Sequence, residues 1–168
     1  MKSVYQYVVD EVRTLKGIEE AIALAIERER EAREFYLYNS TLMENPKFKE
    51  LYEYLANEEL KHLSYLEKYR DKKELPVVST KVNSGQSFTP EFNPTLTKSG
   101  ELTLGDTGIL LAAMRHERKS EYFYSELAKL AIDDVERDFF EMLAVYENDH
   151  YELIDDYLEE ITSFRMQT

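Results

Sequence analysis

The chain lacks cysteine and tryptophan altogether, and it is poor in glycine (5) and proline (4) for its 168 residues. Without cysteine there can be no disulfide, no thiolate zinc site, no iron–sulfur centre and no cysteine nucleophile. So few glycines and prolines do not suit an all-β fold, which needs a turn every ten residues or so. Basic charge is also short: 21 Lys and Arg stand against 34 Asp and Glu, a formal net charge of −13. Phosphate backbones attract the opposite balance, so no nucleic-acid partner is expected. No run of 18 apolar residues occurs, so no membrane-spanning helix is expected. Asp10 and Glu11 break the N-terminal apolar stretch before it could serve as a secretory h-region. A soluble cytoplasmic protein is the expectation. What remains is ample for a core: 43% of the residues are hydrophobic and 33% charged, outside the range of disordered chains.

Apolar residues recur in steps of three and four through four long stretches, about residues 17–42, 46–72, 106–131 and 135–164. Asn45-Pro46 separates the first pair, and Asp133-Asp134 separates the second as turn and N-cap. The first dozen residues have the pattern of a short extra helix. Three of the four prolines and three of the five glycines fall between Pro76 and Gly105. Residues 75–105 therefore read as one long connection, with a short extended piece at Val77–Val82. Short turns make antiparallel neighbours. At roughly 3.3 Å per extended residue, the long connection can run the length of a helix of about 40 Å. The prediction is a single all-α domain over residues 1–168, an antiparallel four-helix bundle with one long crossover between its second and third helices.

The two halves repeat at an offset of 88 residues. Glu29-Arg30-Glu31-Ala32-Arg33-Glu34-Phe35-Tyr36 aligns with Glu117-Arg118-Lys119-Ser120-Glu121-Tyr122-Phe123-Tyr124. Leu55-Ala56-Asn57-Glu58-Glu59-Leu60-Lys61-His62 aligns with Leu143-Ala144-Val145-Tyr146-Glu147-Asn148-Asp149-His150. Shared helical periodicity would explain matching apolar residues. It would not explain two histidines in register.

On each predicted core stripe the middle position is polar. Glu29 interrupts the first helix, Glu59 and His62 the second, Glu117 the third, and Glu147 and His150 the fourth. Four carboxylates facing one interior would be desolvated and mutually repelled, and no Lys or Arg lies on the stripes to pair them. Two divalent cations would cancel their charge, −4 + 4 = 0, and neutral imidazoles would complete the set. Residues i and i+3 share a helical face, so Glu59 with His62 can hold one ion and Glu147 with His150 the other. One Glu from each of two helices and Glu-x-x-His from each of the other two is the ligand pattern of ferritin-like di-iron and di-manganese bundles. With 25 glutamates in 168 residues, a Glu three before a given His arises by chance about 15% of the time, and before both about 2%.

The ExRxAxxFY and LAxEExKH stretches quoted above resemble the rubrerythrin branch of the ferritin-like superfamily over about residues 15–72 and 106–165. The resemblance implies two iron ions, with manganese or a mixed pair as alternatives, held by Glu29, Glu59, His62, Glu117, Glu147 and His150. It implies a non-haem oxidoreductase that reduces hydrogen peroxide or dioxygen, the four glutamates acting in catalysis as ligands. The alternatives are a ferroxidase or iron-handling protein, a non-catalytic metal-stabilised bundle and, more weakly, a hydroxylase. Rubrerythrins typically carry a further Glu three residues after the third-helix ligand; here Ser120 stands there and Ala32 at its repeat mate. They also typically carry a four-cysteine rubredoxin domain. A chain without cysteine needs a separate electron donor. The expected assembly is a homodimer.

Residues beside the ligands fit the pattern less well. Glu58 lies four before His62, but its repeat mate is Tyr146, so Glu59 is the better ligand. His116 sits about 100° around the helix from Glu117 and reads as an ordinary exposed or half-buried residue. Tyr36 and Tyr124 follow Glu29 and Glu117 by seven residues, on the same stripe. Each is placed to hydrogen-bond a ligand carboxylate or to quench a stray oxidising equivalent.

Overall fold

A computed structural model of the chain describes residues 2–43, 45–72 and 104–166. These form five helices: α1 (Val4–Thr14), α2 (Ile18–Leu42), α3 (Pro46–Lys72), α4 (Leu104–Leu130) and α5 (Asp134–Met166). No strand occurs among the described residues. The four predicted helices are α2 to α5, with bounds within two residues of those expected. The differences fall at helix ends, where first and last turns fray. Residues 104 and 105, expected in the crossover, instead open α4. A glycine is tolerated there because the N–H groups of a first turn have no helical partner to lose. The rest of the expected crossover, with Val77–Val82, lies outside the described residues.

Local chemistry sets the helix starts. Ser3 caps α1 by accepting from the Gln6 N–H at 3.2 Å. The Asn45 side chain accepts from the Lys47 N–H at 3.0 Å, and Pro46 fills the first helical position of α3, where its missing N–H costs nothing. Asp133 is the cap of α5, accepting from the Glu136 N–H at 2.8 Å, and Asp134 is the first helical residue. Glu136 reaches back to accept from the Ile132 N–H at 3.0 Å, close to a capping box. It also accepts a hydrogen bond from the Tyr69 hydroxyl, so its burial leaves neither oxygen unpaired.

Helix directions follow from cross-helix contacts. Tyr36 meets Glu117 and Tyr124 meets Glu29, so α2 and α4 run antiparallel. Phe48 packs near Tyr157 and Tyr69 near Glu136, so α3 and α5 also run antiparallel. The helices within each hairpin, α2–α3 and α4–α5, are antiparallel too. The two helices on either side of the crossover, α3 and α4, therefore run parallel. This is the bundle the sequence predicts, in an all-helical fold.

The core has two apolar clusters. One joins Ile22, Ile26, Leu66, Phe123, Leu127, Phe139, Phe140 and Leu143, with Val8 and Val12 of α1 packed onto it. The other joins Phe48, Leu51, Tyr52, Leu55, Leu110, Ala113 and Ile154. Each fully buried Leu or Phe contributes about 1.5–3 kcal/mol relative to exposure. The short N-terminal helix lies against α4, held also by a 2.9 Å hydrogen bond from the Tyr5 hydroxyl to Glu126. No described helix is long and apolar enough to cross a membrane. Between the two clusters, the bundle interior turns polar.

Candidate metal centre

All six predicted ligands meet in that interior. Glu29, Glu59, His62, Glu117, Glu147 and His150 are 0–4% exposed, although they come from four helices. They form two overlapping sets: Glu29, Glu59, His62 and Glu147, and Glu59, Glu117, Glu147 and His150. Within each set the ligand atoms lie within 4.8 Å of one another. Glu59 and Glu147 belong to both sets. Glu29 with His62 completes one, and Glu117 with His150 completes the other, as the repeat requires. The sharing of Glu59 and Glu147 was not legible from spacing, because it depends on how the α3 and α5 stripes face each other.

The imidazoles sit among the carboxylates. His62 Nδ1 is 3.0 Å from Glu147, 3.3 Å from Glu59 and 3.4 Å from Glu29. His150 Nδ1 is 3.2 Å from Glu117 and 3.5 Å from Glu59. The two rings stack, with centroids 5.3 Å apart and planes 14° apart. The His150–Glu117 approach is a hydrogen bond, whereas the others leave polar atoms unsatisfied. Glu29 Oε2, both oxygens of Glu59, both oxygens of Glu147 and both nitrogens of His62 are buried without a hydrogen-bond partner. Such groups are costly unless paired or bound to metal. Orphaned carboxylate oxygens and an imidazole at mutual ligand distance are the donor set that iron or manganese takes. No lysine or arginine is found among the described buried residues. The residues present therefore fit a dinuclear metal group.

Without a cation the cluster is electrostatically frustrated. Burial, reinforced by the charge on Glu59, pushes the Glu29 carboxyl up to about 8. Burial and the charges of Glu59, Glu29 and Glu117 hold Glu147 well above the usual carboxylate range. Burial alone would raise Glu59 too, but the His150 and His62 rings outweigh it and hold it well below. For both histidines burial works against the charged form, and the surrounding carboxylates reverse that and push them well above their usual value. Protons take the place that cations would fill.

Tyr36 and Tyr124 anchor the two unshared carboxylates reciprocally. The Tyr36 hydroxyl donates to Glu117, and the Tyr124 hydroxyl donates to Glu29. Each tyrosine thus supports the glutamate of the opposite half. This fixes carboxylate orientation, which a metal ligand requires. Burial, followed by the charge of the glutamate each one meets, pushes both hydroxyls well above 10.

A family model described as Rubrerythrin matches residues 20–158. The chain belongs to the rubrerythrin family. No curated protein and no solved structure gives a significant match. As a rubrerythrin-family bundle, the chain keeps its polar residues at the positions that spacing singled out. Glu58 is half-buried and pairs with Lys61, away from the cluster. His116 is half-buried and belongs to neither set. Ser120, where rubrerythrins typically have a further glutamate, is buried one turn after Glu117. One neighbour went unnoticed in the sequence. Tyr146 stacks on His62 with centroids 5.5 Å and planes 11° apart. Its place opposite Glu58 in the repeat was the available signal.

Proposed function

We propose that this rubrerythrin-family protein is a non-haem di-iron oxidoreductase that reduces hydrogen peroxide or dioxygen. The observation that carries the reading is the pair of overlapping residue sets sharing Glu59 and Glu147, with seven buried polar atoms of Glu29, Glu59, His62 and Glu147 lacking a hydrogen-bond partner. Glu29 and His62 would hold one ion, Glu117 and His150 the other, and Glu59 and Glu147 both. When bound, the reduced pair supplies the two electrons that a peroxide takes up.

The chain's own residues prepare that chemistry. The apolar clusters on either side keep bulk water from the site, which strengthens every charge interaction within it. Tyr36 and Tyr124 hold Glu117 and Glu29 by one oxygen each; the second oxygen of Glu29 has no hydrogen-bond partner, and that of Glu117 meets the His150 ring. The stacked imidazoles are held parallel, one for each ion. Electrons for further turnover come from a separate donor, since the chain has no cysteine to hold a thiolate-ligated iron beside the site.

A second reading, ferroxidase, is favoured by Ser120. With no seventh carboxylate there, the site keeps the symmetric six-ligand form. Stopped-flow oxidation of the Fe(II)-loaded protein separates the two. Faster reaction with peroxide than with dioxygen, and no growing mineral, supports the oxidoreductase. Continued turnover of many added Fe(II) ions with dioxygen supports ferroxidase. Equal rates for wild type, His62→Ala and His150→Ala would overturn both.

A further inference from the structure

The repeat is nearly symmetric around the site, but it breaks at one buried position. Tyr52 of α3 corresponds, at the 88-residue offset, to Phe140 of α5. Both side chains are fully buried. A phenyl ring therefore fills this place in the bundle, and packing does not require the Tyr52 hydroxyl. That hydroxyl is buried with no hydrogen-bond partner, which costs stability rather than adding it. The Tyr52 ring lies 5.4 Å from the Tyr36 ring at 33°, with Phe35 packed beside both. Tyr36 in turn donates to the ligand-set carboxylate of Glu117. The other half has no such second phenol, because Tyr124 corresponds to Tyr36 and Phe140 ends the series. The charge of Asp106, half-buried near the start of α4, acts on the Tyr52 hydroxyl.

We propose that Tyr36 and Tyr52 form a one-sided redox relay that carries a single oxidising equivalent from the site to the interior of the α2–α3 hairpin. The proposal rests on the di-iron reading above. Peroxide takes two electrons and two protons to give two waters. When only one electron is available at the site, the second comes from a tyrosine. Tyr36 gives that electron, and its phenolic proton passes to the Glu117 oxygen it already contacts. Tyr52 then gives an electron to Tyr36, Glu117 returns the proton to Tyr36, and the Tyr52 proton leaves toward Asp106 and solvent. The net change is one Tyr52 electron and one proton lost, one oxidising equivalent removed from the ligands. The second phenol puts the radical one side chain further from the ligand carboxylates.

The test uses the full chain loaded with one Fe(II) per chain and mixed with hydrogen peroxide. Freeze-quench electron paramagnetic resonance reads the tyrosyl radical, and iron absorbance reads metal oxidation in the same mixture. Wild type should give a tyrosyl signal. Tyr52→Phe should lose the wild-type line shape while keeping metal uptake, with a melting temperature equal to or above wild type. Tyr36→Phe should lose the signal, whereas Tyr124→Phe should retain it, although each removes one hydrogen bond to one ligand carboxylate. Metal oxidation with an unchanged line shape in Tyr52→Phe would overturn the relay alone. Equal loss in Tyr36→Phe and Tyr124→Phe would also overturn it, because the effect would then come from the carboxylates. Failure to bind iron at all would overturn both the relay and the di-iron reading.

Discussion

Raising the pH should destabilise the metal-free protein, and Glu29 sets the scale. Its carboxyl moves from 4.5 to about 8 on folding without metal. A carboxyl raised in the folded state adds no cost below the unfolded value, and its full cost is present above the folded one. Stability is therefore lost as pH climbs from about 4.5 through about 8. His62 and His150, also raised, act in the same direction, because their contribution is fully present below 6.5 and is lost at higher pH. Glu147 adds to the loss, while Glu59, depressed, titrates below this window. A displacement of this size is worth about 5 kcal/mol. For a chain of this size 1 kcal/mol moves the melting temperature by roughly 2–4 °C, so the full effect is about 10–20 °C. The assay is thermal unfolding of chelator-treated protein from pH 5 to pH 8.5, with Glu29→Gln alongside. The amide of that variant would keep the contact with Tyr124 but would not ionise. The variant should match wild type near pH 5 and be the more stable of the two at pH 8.5. An apo wild-type melting temperature that is flat or rising over this range would refute the reasoning.

Other perturbations separate ligands from neighbours. His62→Ala and His150→Ala should each lower bound metal towards one ion per chain, read by elemental analysis, whereas His116→Ala should leave it unchanged. Tyr36→Phe and Tyr124→Phe should each weaken metal binding by about 10–100-fold in a chelator competition, the range for lost ligand-supporting hydrogen bonds. Asp133→Ala should cost about 1 kcal/mol in denaturant unfolding by removing the cap of α5, with metal content retained.

The sequence exposed the bundle because its apolar periodicity is long and strongly punctuated. Asn45-Pro46 and Asp133-Asp134 mark the hairpin turns, and the bounds missed by only one or two residues. The candidate site was legible for a different reason: Glu29, Glu59, Glu117 and Glu147 are charged residues on stripes that are otherwise apolar. Local pattern does not carry what depends on the crossing of helices. The reciprocal Tyr36–Glu117 and Tyr124–Glu29 bonds, the sharing of Glu59 and Glu147, and the stacking of Tyr146 on His62 all join residues at least 81 positions apart, or atoms whose meeting depends on helix rotation. The repeat held a further clue in its exceptions. Tyr52 opposite Phe140 and Tyr146 opposite Glu58 are where two like halves take up different work. The N-terminal helix was visible only as a pattern, because its docking depends on Val8 and Val12 meeting a cluster assembled from four other helices.

Metal stoichiometry tests the central claim most directly. Protein loaded with Fe(II) in the absence of oxygen, then freed of excess metal, should hold two iron ions per chain, about 3.5–4 Å apart by X-ray absorption if they share Glu59 and Glu147. A saturating value of one ion per chain, or none, would contradict the dinuclear centre.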